Sequence, residues 1–267
     1  MELTRNKRIV FLSGPSGTGK GPIIAGTRKF FPQINIGVVE VYKSFESRPD
    51  RKLRKSDNPQ YFLPAAEIIS FKEDSNWIVW DCRGTPQAIS LNHVLEATKN
   101  SSVVYVEVFH AAAEAMKKNR EFMECHGLNP VSVFVSPLSQ EDILILKESS
   151  GEKNEERALT DFLTQLIMDK QIQRSHHLNT PVSPDFISEA LIRAQHGYEE
   201  LKDGHNYDGV LVVPDGEGGP TWGLRTDGVT FSRHPVSHAW KAMCKLAAIF
   251  RGEKPQFDEV WPSDLIP

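Results

Sequence analysis

A chain of 267 residues with 39% hydrophobic and 25% charged residues has enough apolar surface for a sizeable core and suits one α/β domain with insertions, or one domain plus a small appendage. Its formal net charge of −4 gives no electrostatic case for nucleic acid or an anionic membrane as partner. The three cysteines, Cys82, Cys125 and Cys244, are too few and too far apart for a disulfide framework or a zinc site. No apolar run approaches the length of a membrane span, and the first residues lack the apolar core of a secretory signal, so the expected compartment is the cytosol.

A short apolar run, Ile9 to Leu12, is bounded by glycine and reads as a buried parallel strand. It empties into Gly14-Pro15-Ser16-Gly17-Thr18-Gly19-Lys20, the G-x-x-x-x-G-K spacing of a phosphate-binding loop. Glycines let the backbone curl so that successive N–H groups converge on a polyphosphate, and the helix that follows adds its positive end. Lys20 puts a point charge on the outer phosphates. The residues from Gly14 to Gly21 are therefore the candidate nucleotide-phosphate-binding set. The usual loop follows its lysine with Ser or Thr, whose hydroxyl ligates Mg²⁺, whereas Gly21 and Pro22 stand here. Pro22 suits a first helical turn, but Gly21 offers no side-chain oxygen. Nucleotide binding is thus better supported than metal-assisted transfer.

A helix is expected from Ile23 to Phe31, then a strand over Ile34–Tyr42. A polar segment rich in Lys and Arg runs from Lys43 to Lys55, with Tyr61-Phe62 beyond it. After a phosphate loop and its strand, such a basic run becomes a candidate site for a second anionic substrate, although alone it would describe a solvated face. Asn76–Trp80 reads as another parallel strand, ended by Asp81, either at the position where Mg²⁺ or its waters are commonly held or as an N-cap or turn aspartate. A helix is expected from Thr85 to about Lys99, a strand over Ser102–Phe109, a helix over Ala111–Glu124 and a strand over Val131–Val135. Ser139-x-x-Asp142 signals the cap of a helix running to Lys147. Residues 148–180 look like a polar helix crossing the surface. Pro184 opens a helix ending near Glu200, Tyr207–Val213 is a last strand, and a final helix lies near His238–Phe250. Strands alternating with helices predict a doubly wound parallel sheet with ligands at the carboxyl ends of its strands.

Taken in this order, these landmarks resemble the guanylate kinases and related nucleoside monophosphate kinases. Ser44-Phe-Glu-Ser47-Arg48-Pro49-Asp50-Arg51 resembles the family's S-x-T-T-R-x-x-R segment, which grips the monophosphate, and Tyr61 matches a tyrosine that touches the same phosphate. Trp80-Asp81-Cys-Arg83-Gly84 resembles its I-D-x-Q-G strand end, Val131–Ser139 the strand before the lid, and Tyr207–Val213 the last strand. The resemblance implies a P-loop NTPase fold over residues 1–214, with a monophosphate-binding segment about 40–75 and an enlarged lid about 148–182. Residues 215–267 would then be an extension whose final helix packs on the core. It also implies ATP and Mg²⁺ as cofactors and a nucleoside monophosphate as partner, GMP or dGMP first. Ser44, Arg48, Arg51, Tyr61 and Asp81 would bind the acceptor, with Lys20, Arg48, Arg51 and Asp81 serving catalysis.

The sequence departs from the family at several points. Gly21 replaces the metal-binding hydroxyl, and the short stretch between Tyr61 and Asp81 lacks the guanine-reading segment, for which Glu67 could stand in although its local spacing does not require it. Where the lid carries arginines, Glu189 and Ala190 stand, with Arg193 a turn later; Arg83 or Arg174 could replace the lost charge. Two alternatives stay open: a non-catalytic module that binds a nucleotide or an acidic or phosphorylated peptide, and a kinase for another small phosphorylated acceptor. Oligomeric state is left open.

Overall fold

The computed structural model describes residues 7–44, 58–82, 84–150, 154–178, 184–216, 219–224 and 230–266; within its helices the side chains at 170, 171, 173–178, 185, 186 and 189 lie outside that description. In chain order the elements are β1 (Lys7–Ser13), α1 (Lys20–Phe30), β2 (Ile36–Val38), β3 (Tyr42–Ser44), β4 (Phe62–Leu63), α2 (Ala65–Ser70), β5 (Trp77–Cys82), β6 (Thr85–Ser90), α3 (Leu91–Asn100), β7 (Val103–Glu107), α4 (His110–Lys118), α5 (Arg120–Cys125), β8 (Leu128–Ser136), α6 (Gln140–Ser150), α7 (Glu155–Leu178), α8 (Pro184–Lys202), β9 (Gly209–Val212) and α9 (Ser237–Phe250). The chain divides into two compact units, one of Met1–Leu12 with Asn35–Val131 and the other of Ser13–Ile34 with Ser132–Pro267. The boundaries fall inside β1 and β8.

In the first unit, β7 pairs in parallel with β2 on one side and β1 on the other. Val103, Val104, Tyr105 and Val106 are all buried, the continuous apolar run that a central parallel strand requires. Ile9, Phe11, Val104 and Val106 form one core with Ala112, Ala113 and Met116 of α4. A second, four-stranded sheet has the order β4-β3-β6-β5, and Val41, Trp80, Cys82 and Ile89 join the same core.

This second sheet corrects the sequence reading at three points. The expected strand 34–42 is split, β2 entering the parallel sheet and β3 the smaller one. Trp77–Cys82 is not a parallel strand: β5 pairs antiparallel with β6, Cys82 opposite Thr85, in a hairpin that turns at Gly84 (φ 73). Residues 85–90 are consequently strand, and the helix begins only at Leu91. The helix expected over 111–124 is broken into α4 and α5, with the Asn119 side chain accepting from the Phe122 N–H to start the second piece.

In the second unit β8 and β9 run parallel, Ser136 opposite Val212. The capping signal forms as read: Ser139 N–H and Oγ donate to Asp142 Oδ2 at 2.8 and 2.6 Å, and the Asp142 N–H returns a bond to Ser139 Oγ at 3.1 Å. The expectation of a surface helix over 148–180 is corrected. Leu159 and Leu163 of α7 are completely buried among Phe134, Ile143, Tyr198 and Leu201, so the four-residue spacing that places them on one face makes that face core. The segment after residue 214 belongs to this unit as well. Met243 of α9 packs against Gly26 of α1, and the tail closes the open edge of β9, with Val210 N–H donating to the Glu259 carbonyl and Asp258 N–H to the Val210 carbonyl, both at 2.9 Å. No helix among the described residues is long and apolar enough to cross a membrane.

Asp258 ties these pieces together. Lys245 and Lys241 reach its Oδ1 at 2.6 and 2.9 Å, and the Val212 N–H donates to Oδ2 at 3.1 Å. Burial alone would raise this carboxyl; the bonds from Lys245, Lys241 and Val212 outweigh it and hold the group below its ordinary range. Its contribution is complete above the ordinary aspartate value of about 3.9 and is lost as pH falls through the lower folded value. Asp258→Asn should cost about 1.5–3 kcal/mol near neutral pH. In urea unfolding series, the gap between variant and wild type should narrow once pH drops below about 4.

Candidate phosphate-binding site

The loop is dictated by three glycines in the left-handed region: Gly14 (φ 137), Gly17 (φ 92) and Gly19 (φ 93). Gly14 has a second constraint, because a Cβ there would run into the Val135 carbonyl oxygen of β8. Gly19 is the N-cap of α1 and provides no side-chain cap, and no acidic residue occupies the first turn. The first N–H groups of α1, together with the positive end of its dipole, are therefore left for an anion. The helix is tied to the loop by the Ile23 N–H, which donates to the Gly19 carbonyl at 2.9 Å.

The side chains divide their labour. Thr18 Oγ1 is buried and donates to the Pro15 carbonyl at 3.0 Å, so this residue shapes the loop through its side chain and offers a ligand only its backbone. Lys20 Nζ donates to the carbonyls of Gly14 and Pro15 at 2.6 and 2.9 Å, which folds the ammonium back over the loop. Pro15 is buried and Ser16 half-buried. Gly21 is exposed, and apart from its chain neighbours and its own helix backbone nothing described lies within 4 Å of where its Cβ would stand, so a side chain carrying a hydroxyl fits there.

The residues read as acceptor-binding lie in the first unit. Ser44, on β3, is buried and in register with Leu63 of β4, which brings it near Tyr61. The Tyr61 ring packs edge-on to Tyr42 at 5.1 Å, and Tyr42 also meets Trp77 at 5.0 Å and stacks with His93 at 5.8 Å. Burial pushes the Tyr42 hydroxyl up, and Tyr61 adds to the shift. Glu67 is exposed in the first turn of α2. Arg48, Arg51 and Arg83 lie outside the described residues, as do the side chains of Arg174 and Glu189. Ala190 is fully buried against Ile167, and Arg193 is half-buried on α8.

Asp81 does not end a parallel strand. It sits opposite Pro86 in the β5–β6 hairpin, and its Oδ1 accepts the Gly84 N–H at 2.8 Å, the behaviour of a turn aspartate. The acid with the expected topology is Glu107, which the sequence reading passed over. It ends β7, the strand beside β1, in register with Leu12 just before the loop. Its side chain is exposed, and Tyr105 Oη donates to Oε2 at 3.2 Å. An exposed acid closing a run of four buried apolar residues was the available signal. Among the described residues no three His, Cys, Asp or Glu side chains gather as a metal site.

No protein-family model matches the chain. The curated guanylate kinase of Synechococcus sp. (strain JA-3-3Ab) is 26% identical over 141 residues, which are 51% of this chain and 58% of that protein. Over those residues the chain is similar to a guanylate kinase. The chain thus spans little more than half the length of this curated relative. Among solved structures, the guanylate kinase from Anaplasma phagocytophilum matches over 94% of this chain and 87% of its own, with 14% identity and a TM-score of 0.47.

The two glycines at the ends of the loop should respond in opposite directions. Gly14→Ala, with a left-handed backbone and the Val135 carbonyl in its way, should destabilise the fold by at least about 2 kcal/mol. Gly21→Ala, exposed and in the first helical turn, should leave stability unchanged or raise it by up to about 1 kcal/mol. Chemical denaturation of the two variants beside wild type measures both.

Proposed function

We propose that this protein transfers the γ-phosphoryl group of ATP to a nucleoside monophosphate, with GMP or dGMP the first candidates. The single observation that carries the reading is the loop from Gly14 to Lys20, whose three left-handed glycines and uncapped helix end leave backbone N–H groups and an ammonium for a polyphosphate. The similarity to a curated guanylate kinase supports the choice of acceptor class. Phosphoryl transfer needs positioning and charge neutralisation more than covalent help from the protein. In this reading the loop amides hold the β- and γ-phosphates. Lys20 exchanges its bonds to the Gly14 and Pro15 carbonyls for phosphate oxygens and stays with the charge as it moves. Arg48 and Arg51, three residues apart, fork the acceptor phosphate, with Ser44 and Tyr61 completing its oxygens.

The donor set fits a magnesium ion held mainly by phosphates and water, as this ion prefers, since position 21 supplies no hydroxyl. Bound magnesium supplies neutralisation of the phosphate oxygens. Glu107, rather than Asp81, is the carboxylate we assign to orienting its waters, because Asp81 is occupied by the turn it closes. The missing hydroxyl at Gly21 is also the observation that favours a second reading, a module that binds nucleotide or an acidic partner without turnover.

A coupled assay with ATP, Mg²⁺ and a panel of nucleoside monophosphates separates the two readings. Turnover of at least one acceptor is expected; no turnover of any, with ATP still bound, would leave the binding module. Lys20→Ala should abolish ATP binding in calorimetry and leave the fold intact, because a half-exposed lysine contributes little to packing. Glu107→Gln should lower kcat by about 10–100-fold with less effect on the KM for the acceptor. An equal effect of Asp81→Asn would return the assignment to that residue.

A further inference from the structure

The connection from β9 to α9 is the stretch in which the sequence shows least, and it is the one that packs on the phosphate loop. Trp222 is fully buried with the benzo edge of its indole against Gly19: a Cβ there would stand 2.8 Å from Cη2 and 3.3 Å from Cε2. Gly216 (φ 57) makes a second approach, a Cβ on it falling 3.1 Å from the Gly17 carbonyl oxygen and 2.8 Å from Leu166 Cδ1 of α7. The ring is held from both sides along its own chain. Thr221 donates through N–H and Oγ1 to Asp215 Oδ2, Trp222 N–H donates to the Gly219 carbonyl at 3.2 Å, and Val236 N–H donates to the Thr221 carbonyl at 2.9 Å. Trp222 Nε1 is buried without a hydrogen-bond partner among the described residues, so packing rather than a polar contact sets the ring's position.

Convergent N–H groups repel one another, and glycine is the residue most willing to leave the conformation that makes them converge. A rigid plane seated on Gly19 removes that freedom. We infer that Trp222 is a positioning residue for the phosphate loop: it holds Gly19 in the left-handed conformation and thereby keeps the first amides of α1 turned toward the bound anion. The inference rests on the phosphate-loop reading for its functional consequence, although its structural part stands by itself.

Both parts are measured on the full chain with Trp222→Leu and Trp222→Phe. Hydrogen exchange at the Ile23 amide, which is bonded to the Gly19 carbonyl, should quicken by about tenfold or more in Trp222→Leu. The Val213 amide, bonded to the Ser136 carbonyl, should keep its wild-type rate. ATP affinity by calorimetry should fall by about tenfold or more in the same variant, while Trp222→Phe, which retains a planar ring, should stay within about threefold of wild type on both readouts. Should Trp222→Leu not fold, Trp222→Met, with apolar volume but no rigid plane, takes its place with the same expected outcome. Unchanged Ile23 exchange in a folded variant overturns the positioning role, whatever happens to ATP. Faster Ile23 exchange in a protein whose wild type binds no ATP upholds the positioning role and sinks the nucleotide reading instead.

Discussion

The close approach of Gly14 to the Val135 carbonyl is the constraint on which the rest of the site depends. A backbone can pass that near another only without a side chain, and the left-handed φ of Gly14, Gly17 and Gly19 then bends the chain from the end of β1 into the start of α1 within a few residues. Everything chemical about the loop follows from this bend. It leaves the first amides of α1 without a cap, aims the positive end of the helix dipole at the turn, and brings the Lys20 ammonium over the carbonyls of Gly14 and Pro15. Thr18 stabilises the bend from within through its bond to Pro15.

Two acids show how topology assigns chemistry. Asp81 and Glu107 each follow a short apolar run, and each ends in an exposed carboxylate. Only the strand neighbour distinguishes them. Asp81 enters an antiparallel hairpin, where the backbone reverses at once and the carboxylate is used to satisfy the Gly84 N–H. Glu107 ends a strand that runs parallel to β1, so it emerges at the same end as the phosphate loop's own strand. Ligands of open parallel sheets bind at that end, because it is where helix N-termini and loop amides are presented.

Segments that look like additions carry much of the second unit's core. The buried face of α7 supplies Leu159 and Leu163, and the tail supplies Trp261, Leu265 and Ile266 to the same cluster. Tail and α9 are locked to β9 by Asp258, which pairs two lysines of α9 with an amide of the strand. The connection between them adds Trp222 to the phosphate loop. These segments are therefore structural in this unit, and the polar residues of α7 from Glu156 to Asp169 lie on the outer face of a helix whose inner face is buried.

What the amino-acid sequence determined unaided is whatever local physics decides. Closely spaced glycines permit the left-handed turns of the loop, Ser139 and Asp142 cap each other across a single turn, and a Val- and Tyr-rich run such as Val103–Val106 favours extended backbone. Pairing partners were another matter. Ile34–Tyr42 has the same β-propensity whether it forms one strand or contributes to two sheets, and Trp77–Trp80 is equally apolar in a parallel or an antiparallel neighbourhood. Tertiary structure alone settled that β2 and β3 part company, that Asp81 turns a hairpin while Glu107 ends the strand beside β1, and that Trp222 lies against a glycine some two hundred residues earlier. The physical reason is that a strand's partner and a ring's resting place are fixed by contacts between residues distant in the chain, and no local period encodes them.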